Sequence, residues 1–320
     1  MHLILDRIAV LKWNKTGITV AGNASSSGTG PDQLYRPWNL ALDWQDNLYV
    51  TDRGNNRVQK FLKGSKIGVT VAGSANGISG SGLNLFSHSL GIIVDDNENI
   101  YVSDHNNHRV VFWARGSMVG QVVAGNGTPI RENNTLWSPH GLQRDSNTGI
   151  LYIGDSYNCR VMRYLPNATS GVQVAGGDIC GDTYARLNRS WGFHLDLVTN
   201  SVIIANSLGE NVVRWRFGES NWTQLAGTLG VQGATATTLN DPSDVTLDPM
   251  GNMYVADYPN NRIQLFLANE LNGATIAGVT GQSGSNATLL YQPASMRLDN
   301  QLNMYVADWL NNRIQKFLRY

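Results

Sequence analysis

The sequence predicts an all-β fold, a six-bladed β-propeller of four-stranded antiparallel blades, and three observations carry the prediction. One phrase recurs six times: YVTDRGNNRVQKF (49–61), YVSDHNNHRVVFW (101–113), YIGDSYNCRVMRY (152–164), IIANSLGENVVRW (203–215), YVADYPNNRIQLF (254–266) and YVADWLNNRIQKF (305–317). Its anchor falls at Asp52, Asp104, Asp155, Asn206, Asp257 and Asp308, a period of 51 or 52 residues. A second phrase keeps the same beat: VAG at 20–22, 71–73, 123–125 and 174–176, then LAG at 225–227 and IAG at 276–278. A third follows about a dozen residues later, as in LYRPWNLALD (34–43) and LWSPHGLQRD (136–145). A fixed period over almost the whole chain marks a repeat architecture, whose units bury their faces on one another.

Each period offers four apolar runs of strand length. In the first they are NLALD, NLYVTD, RVQKF and VTVAG, bounded by Gly, Asn, Asp or Pro. No stretch keeps helical spacing of apolar residues. The strands are lettered a to d from the central channel outward. The chain begins with a d strand (18–22) and ends with a c strand (313–317), so the first d strand completes the last blade and closes the ring. Closure removes the sheet edges that invite aggregation. The expectation is one domain over 1–320, with a lead-in at 1–17 and repeats from 18 to 320. The run DRIAVLKW (6–13) resembles a c strand that the ring does not need; it is expected to cap the bottom of the ring or to be the remnant of an upstream segment.

Within the main phrase, Asp ends strand b and Arg opens strand c five residues later. A guanidinium can donate a forked pair of hydrogen bonds to a carboxylate. The expected structural ion pairs are Asp52 with Arg57, Asp104 with Arg109, Asp155 with Arg160, Asp257 with Arg262 and Asp308 with Arg313. The fourth copy loses both partners together, carrying Asn206 and Asn211, as it should if losing one alone strands a buried charge. Residues common to the copies build the repeat, so a unique site belongs where the copies differ.

Lys plus Arg is 24 and Asp plus Glu is 24, giving zero net charge. That argues against nucleic acid as a partner, which usually selects a basic face and a high pI. No stretch approaches the roughly 18 consecutive apolar residues of a membrane-spanning helix, so no membrane segment is expected in this chain. MHLILD is too short and too acidic for a secretory signal. Eight N-glycosylation sequons begin at Asn14, Asn23, Asn126, Asn133, Asn167, Asn188, Asn221 and Asn286, all in predicted loops. Cys159 lies in the b–c turn of the third repeat and Cys180 in the loop after that repeat's d strand. Those loops emerge on one face of an up-and-down blade, so a disulfide is expected. Sequons and disulfide together favour an extracellular or cell-surface setting.

The pattern Y-V-x-D-x-x-N-x-R-[VI]-x-x-[FWY], preceded by P-x-G-[LV]-x-x-D and present in six copies, resembles the NHL-repeat propellers over about residues 18–320. The resemblance implies the six-bladed fold and leaves function open. The family spans protein-binding ectodomains, protein- and RNA-binding modules of ubiquitin-ligase-type proteins, and a zinc-dependent peptide-amidating lyase. The fourth blade departs from the consensus and is the expected place for local irregularity.

The variable positions cluster on the face made by the b–c and d–a loops. The candidate binding residues there are Trp38, His105, His140, Tyr157, Trp191, Tyr258 and Trp309, large flat surfaces with polar handles. The competing expectation is that the aromatics plug the channel and pack on each other. The lyase resemblance implies several histidines around one zinc, and a zinc of that kind needs three protein ligands. Only His140 and His105 qualify: His108 stands at a structural position, and His88 and His194 lack partners in their own repeats. A calcium site in the channel would draw on Glu210, Asn206, Asp244 and Asn39, which no spacing singles out. No metal, cofactor or catalytic residue is therefore assigned.

The reading is a recognition propeller without enzymatic activity, binding a protein or glycan partner through the b–c/d–a face. Five sequons (Asn23, Asn126, Asn133, Asn188, Asn286) map to that face, and sugar on all of them would shrink the usable surface toward blades two and five. The alternatives are a metal-dependent lyase or lactonase-like enzyme with a channel site, and an intracellular protein- or RNA-binding module.

Overall fold

The computed structural model describes residues 11–24 and 26–320. It contains six four-stranded antiparallel sheets. Blade 1 runs Pro37–Leu42, Leu48–Asp52, Arg57–Phe61 and Gly68–Gly73 as strands a to d. Blades 2 to 5 repeat this order, opening at Ser89, Pro139, Ser190 and Pro242. Blade 6 takes Pro293–Leu298, Met304–Asp308 and Arg313–Phe317 from the end of the chain, and Ile18–Gly22 from its beginning as strand d. The ring closes as the period requires. Residues 1–10 of the lead-in lie outside the described residues. Just after them, Trp13 packs edge-on against Tyr254 at 5.6 Å, and its indole donates to the carbonyl of Leu302 at 2.8 Å.

Apolar residues on both faces of strands b and c fill the spaces between blades. Val50, Phe61, Tyr305 and Ile314 share one cluster between blades 6 and 1, and Val102, Tyr49 and Phe86 share another between blades 1 and 2. Burying one such side chain contributes about 1.5–3 kcal/mol. The glycine of the VAG phrase is required by its place: Gly22, Gly73, Gly125, Gly176, Gly227 and Gly278 all have positive φ, and a Cβ on any of them would strike the carbonyl oxygen of the residue that ends the facing b–c turn.

The b–c turn is a short helical turn in blades 1, 2, 3, 4 and 6 and a plain turn in blade 5; each ends on a residue in the left-handed conformation, and each of these residues stitches its blade to the next. In blade order they are Asn56, His108, Cys159, Glu210, Asn261 and Asn312. Their side chains accept the main-chain N–H of His88 (2.9 Å), Ser138 (3.1 Å), Arg189 (3.3 Å), Asp241 (2.6 Å), Gln292 (2.9 Å) and Arg36 (2.9 Å). The last bond runs from blade 6 to blade 1. All six recipients also have positive φ, so this seam is built from two strained residues per blade joined by one hydrogen bond.

The expected Asp–Arg contacts are present in blades 1, 2, 3, 5 and 6, with Nε to Oδ2 distances of 2.7–2.8 Å. Each carboxylate is fully buried. Asp52 also accepts the N–H of Tyr35 at 2.7 Å and the side-chain amide of Asn55 at 2.8 Å, while Arg57 donates to the carbonyls of Thr29, Ala75, Gly30 and Gln33. The pair thus fixes the d–a loop entering its own blade. Burial raises each of these carboxyls, and the donors around it oppose that rise.

Candidate functional site: the channel mouth

Strand a begins each blade with a bulge, a register shift against strand b between Pro37 and Leu40 in blade 1 and at the matching place elsewhere. A bulge re-aims the side chain it contains. The residues so placed are Trp38, Leu90, His140, Trp191, Ser243 and Ala294. Hydroxyls of the b strands hold two of them from behind: Thr51 donates to the carbonyl of Leu90 at 2.7 Å, and Ser103 to that of His140 at 2.6 Å.

Trp38 is the hub of the mouth. Its ring centre lies 5.3 Å from His140, 5.5 Å from Trp191, 5.9 Å from Tyr258 and 5.7 Å from Trp309. His140 stacks flat on Trp191 at 5.4 Å. Aromatic pairs at such separations add about 0.5–1.5 kcal/mol each beyond their buried area. Trp38, His140 and Tyr258 are buried in this plug, and Leu90 and Ala294 complete it. Trp191 and Trp309 are half-exposed, as is His105, whose ring lies 6.2 Å from His140. Tyr157 is exposed, stacked on Trp137 at 5.9 Å with its ring 6.3 Å from that of His105. The mouth is therefore a filled aromatic floor, with open surface at Trp191, Trp309, His105 and Tyr157.

Three arginines border this floor, and the residue pattern alone did not single them out. The Arg53 guanidinium carbon lies 5.5 Å from the ring centre of Trp38 and 5.9 Å from that of Trp309. Arg36 lies over Tyr35 and Trp309, at 5.3 and 5.5 Å, and Arg189 over Tyr157 at 4.7 Å. Arg36 and Arg189 belong to the positive-φ seam. The acids nearby are already engaged: Glu210 accepts from Asp241 N–H and from Gln232, and Asp241 accepts from Ser207. Burial holds the histidines neutral, pushing His105 down to about 4 and His140 well below the ordinary range, and it works against the charge of Arg53.

The residues present do not fit the metals that propellers of this kind suggest. Among the described residues, no three of His, Cys, Asp and Glu approach closely enough to hold a metal ion. Of the channel oxygens, Asp244 and Asn39 do converge, but on the guanidinium of Arg297, at 2.7 and 3.2 Å. These two oxygens are thus already paired with a cation of the chain itself, from blade 6. Asn206 is bonded to Asn211, and Glu210 serves the inter-blade seam.

Elsewhere on this face Cys159 and Cys180 form a disulfide, their Cα atoms 5.3 Å apart. Seven sequon asparagines are exposed; Asn188 is half-buried and donates to Asp182 at 3.0 Å. No helix among the described residues is long and apolar enough to cross a membrane.

Comparison with known proteins places this geometry in context. The pattern of the NHL repeat family matches residues 34–61 and 239–266. A stretch of 145 residues, 40% of the chain, is 28% identical to peptidyl-glycine alpha-amidating monooxygenase A of Xenopus laevis. A stretch of 145 residues, 44% of the chain, is 26% identical to a probable peptidyl-alpha-hydroxyglycine alpha-amidating lyase of Caenorhabditis elegans. These matches span 16% and 40% of the two relatives, less than half of either. Among solved structures, an auxiliary nutrient binding protein from Bacteroides thetaiotaomicron superposes with a TM-score of 0.69 at 15% identity, covering 97% of this chain and 77% of that one. A gluconolactonase from Xanthomonas campestris superposes with a TM-score of 0.65 at 12% identity, covering 99% of both chains. At these identities the solved structures speak to the fold.

Proposed function

The chain is an NHL-repeat six-bladed propeller, and from that premise we propose that it is an extracellular recognition module. Its partner is a protein or a glycan, bound on the b–c/d–a face. One observation carries the reading: the floor of that face is a packed aromatic cluster centred on Trp38, rimmed by half-exposed Trp191 and Trp309 and by arginines that make no ion pair among the described residues. Rigid aromatic and arginine surface is the usual composition of binding hot spots. The six-blade frame holds it without needing to fold on contact. The disulfide and the exposed sequons support an oxidising compartment and a glycoprotein.

A second reading, a lyase or lactonase-type enzyme at the mouth, draws support from the amidating relatives and the gluconolactonase neighbour. Its specific support in the site is His140, whose Nδ1 is buried and has no hydrogen-bond partner among the described residues, beside His105.

The test is binding of secreted protein to arrays of extracellular proteins and glycans. Trp191→Ala and Tyr157→Ala are compared with Val198→Ala and Met250→Ala, which alter exposed residues of the a–b loops on the opposite face. Loss of a specific signal in the first pair alone is expected. A signal sensitive only to the second pair overturns the reading. So does metal-dependent turnover of a lactone or hydroxyglycine substrate that is lost on changing His140.

A further inference from the structure

Buried polar atoms in this protein nearly always find partners, and the exceptions at the channel mouth are informative. The indoles of Trp13, Trp113, Trp215 and Trp222 each donate to a main-chain carbonyl. The indole N–H of Trp309 is shielded and donates to nothing among the described residues. The same is true of Nε of Arg53, whose guanidinium lies 5.9 Å from the Trp309 ring. Leaving a buried donor unmatched is costly. Arg53 makes no ion pair among the described residues, unlike the five arginines of the repeat phrase. Arg36 lies over the same indole, 5.5 Å from its ring centre, and makes no ion pair among the described residues.

These donors share one chemistry. Two guanidinium groups lie over the Trp309 ring, whose own N–H is unmatched, and all three groups can give hydrogen bonds to an anion. Among the described residues no acid pairs with them, since Asp241 and Glu210 belong to the blade 4–5 side and are engaged there. Arginine forks match carboxylates in a bidentate way. Beside them, the half-exposed indole rings of Trp309 and Trp191 offer flat apolar surface. A uronic acid carries both complements on one ring: a flat C–H face and a carboxylate attached at its rim.

We propose that Arg53, Arg36 and the indole N–H of Trp309 form a subsite for the carboxylate of an acidic saccharide, whose sugar ring lies on the Trp309–Trp191 floor. This rests on the recognition reading and names the ligand class for that face. Arg53 takes the carboxylate, Trp309 supplies the third donor, and Arg36 closes the rim. Arg189, over Tyr157, lies on the blade 3 side and is the next cation that a longer acidic chain would meet.

The test uses the intact, secreted propeller and its intrinsic tryptophan fluorescence, with calorimetry for affinity. The probes are a glucuronate-containing disaccharide, the matching glucose disaccharide, inorganic sulfate, and a short peptide with a free C-terminal carboxylate. The glucuronate disaccharide is expected to bind best, and Arg53→Gln to weaken it by about tenfold to a hundredfold, as loss of a charge-assisted hydrogen bond does. Arg53→Gln should fold normally, because the Arg53 side chain makes no hydrogen bond among the described residues; near-ultraviolet circular dichroism checks this. Arg115→Gln, an exposed arginine in a loop of the other face, should bind as wild type. Equal binding of the glucose disaccharide, unchanged affinity in Arg53→Gln, or preference for the peptide or for sulfate would each overturn the subsite. Failure of every probe would overturn it too, while a partner found on the arrays and lost in Trp191→Ala would leave the recognition reading standing.

Discussion

Asn206 donates its side-chain amide to the Oδ1 of Asn211 at 2.8 Å, at the place where the other five blades hold an Asp–Arg ion pair. The neutral pair keeps the essential geometry, since Asn206 Oδ1 still accepts the N–H of Asn188, as Asp52 accepts that of Tyr35. A third change goes with these two. The motif asparagine becomes Gly209, and a Cβ there would strike the Asn206 amide. Blade 4 thus carries a coordinated neutral version of the ion-pair site. Asp52→Ala is expected to cost about 3–5 kcal/mol by leaving Arg57 buried and unpaired. Asp52→Asn combined with Asn55→Gly and Arg57→Asn should cost clearly less than the sum of its parts. Urea unfolding of the single and combined variants measures this, and additive losses would show that the three positions are independent.

The period of 51 or 52 residues made the fold legible. A repeat can bury its faces only on its neighbours, and the split of blade 6 between the two ends of the chain follows from where the phrases begin and stop. The ion pairs were legible because Asn206 and Asn211 change together. The inter-blade seam was not. Its acceptor position reads Asn, His, Cys, Glu, Asn, Asn, which looks like variation, although every one of those side chains carries a lone pair. Arg53 stands one place after the motif Asp, at a variable position expected to line the channel entrance, but nothing along the chain pairs it with Arg36; only the packing brings the two to one indole. Arg297 between Asp244 and Asn39 joins residues from three blades, which no spacing along the chain reveals.

The seam makes a prediction at His108, whose Nδ1 accepts the N–H of Ser138 at 3.1 Å and must be unprotonated to do so. Burial lowers its affinity for protons. A lowered folded value means that the unfolded chain binds more protons, so stability is complete above about 6.5 and declines as pH falls below it. His108→Asn installs the acceptor used in blades 1, 5 and 6. It should match wild type at pH 7 and exceed it at pH 5. His108→Ala should lose about 1 kcal/mol relative to wild type at pH 7 and less at pH 5, where the wild-type bond is itself weakened. Equal acid sensitivity of wild type and His108→Asn would exclude this histidine as a contributor.

His194 adds to the same slope from the channel wall. Burial, aided by the Arg297 charge and opposed by Asp196, pushes it down to about 4. Between about 6.5 and 4 the unfolded chain again holds the extra proton, so this contribution is lost as pH falls through that window. His194→Gln should flatten the decline by on the order of 1–2 kcal/mol at pH 4.5. Comparison with wild type isolates the imidazole from the motif carboxyls, which burial raises and which act in the opposite sense. Denaturant midpoints at pH 7 and 4.5 read the difference.

The disulfide ties the b–c turn of blade 3 to the loop leading into blade 4, across a sequence separation of 21. Closing a loop of that length stabilises by about 3 kcal/mol in the chain-entropy account. Cys180→Ser leaves Cys159 in place to accept the N–H of Arg189, so its loss should report the cross-link alone. Cys159→Ala removes the stitch as well and should cost roughly 1 kcal/mol more. Thermal unfolding of the two variants, with and without reductant, separates the terms, and equal losses would mean that the Cys159 sulfur contributes nothing to the seam.

The sequons divide by what their side chains already do. Asn14, Asn126 and Asn286 each turn Oδ1 back onto the N–H of the threonine two residues on, at 2.9, 3.0 and 2.9 Å. That local turn engages the oxygen, and their exposed Nδ2 has no acceptor among the described residues. Asn188 differs: its Nδ2 donates to Asp182, its N–H to Asn206, and its carbonyl accepts the N–H of Leu208. A glycan on Asn188 would have to break the entrance to blade 4, so chains carrying it should fold poorly and not be secreted. Peptide mapping of protein from a secretory host, before and after endoglycosidase, should find sugar on Asn14, Asn126 and Asn286 and none on Asn188. Substantial occupancy at Asn188 in folded protein would contradict the placement of that loop. A wholly unglycosylated secreted product would instead remove the sequons from the argument for an extracellular protein.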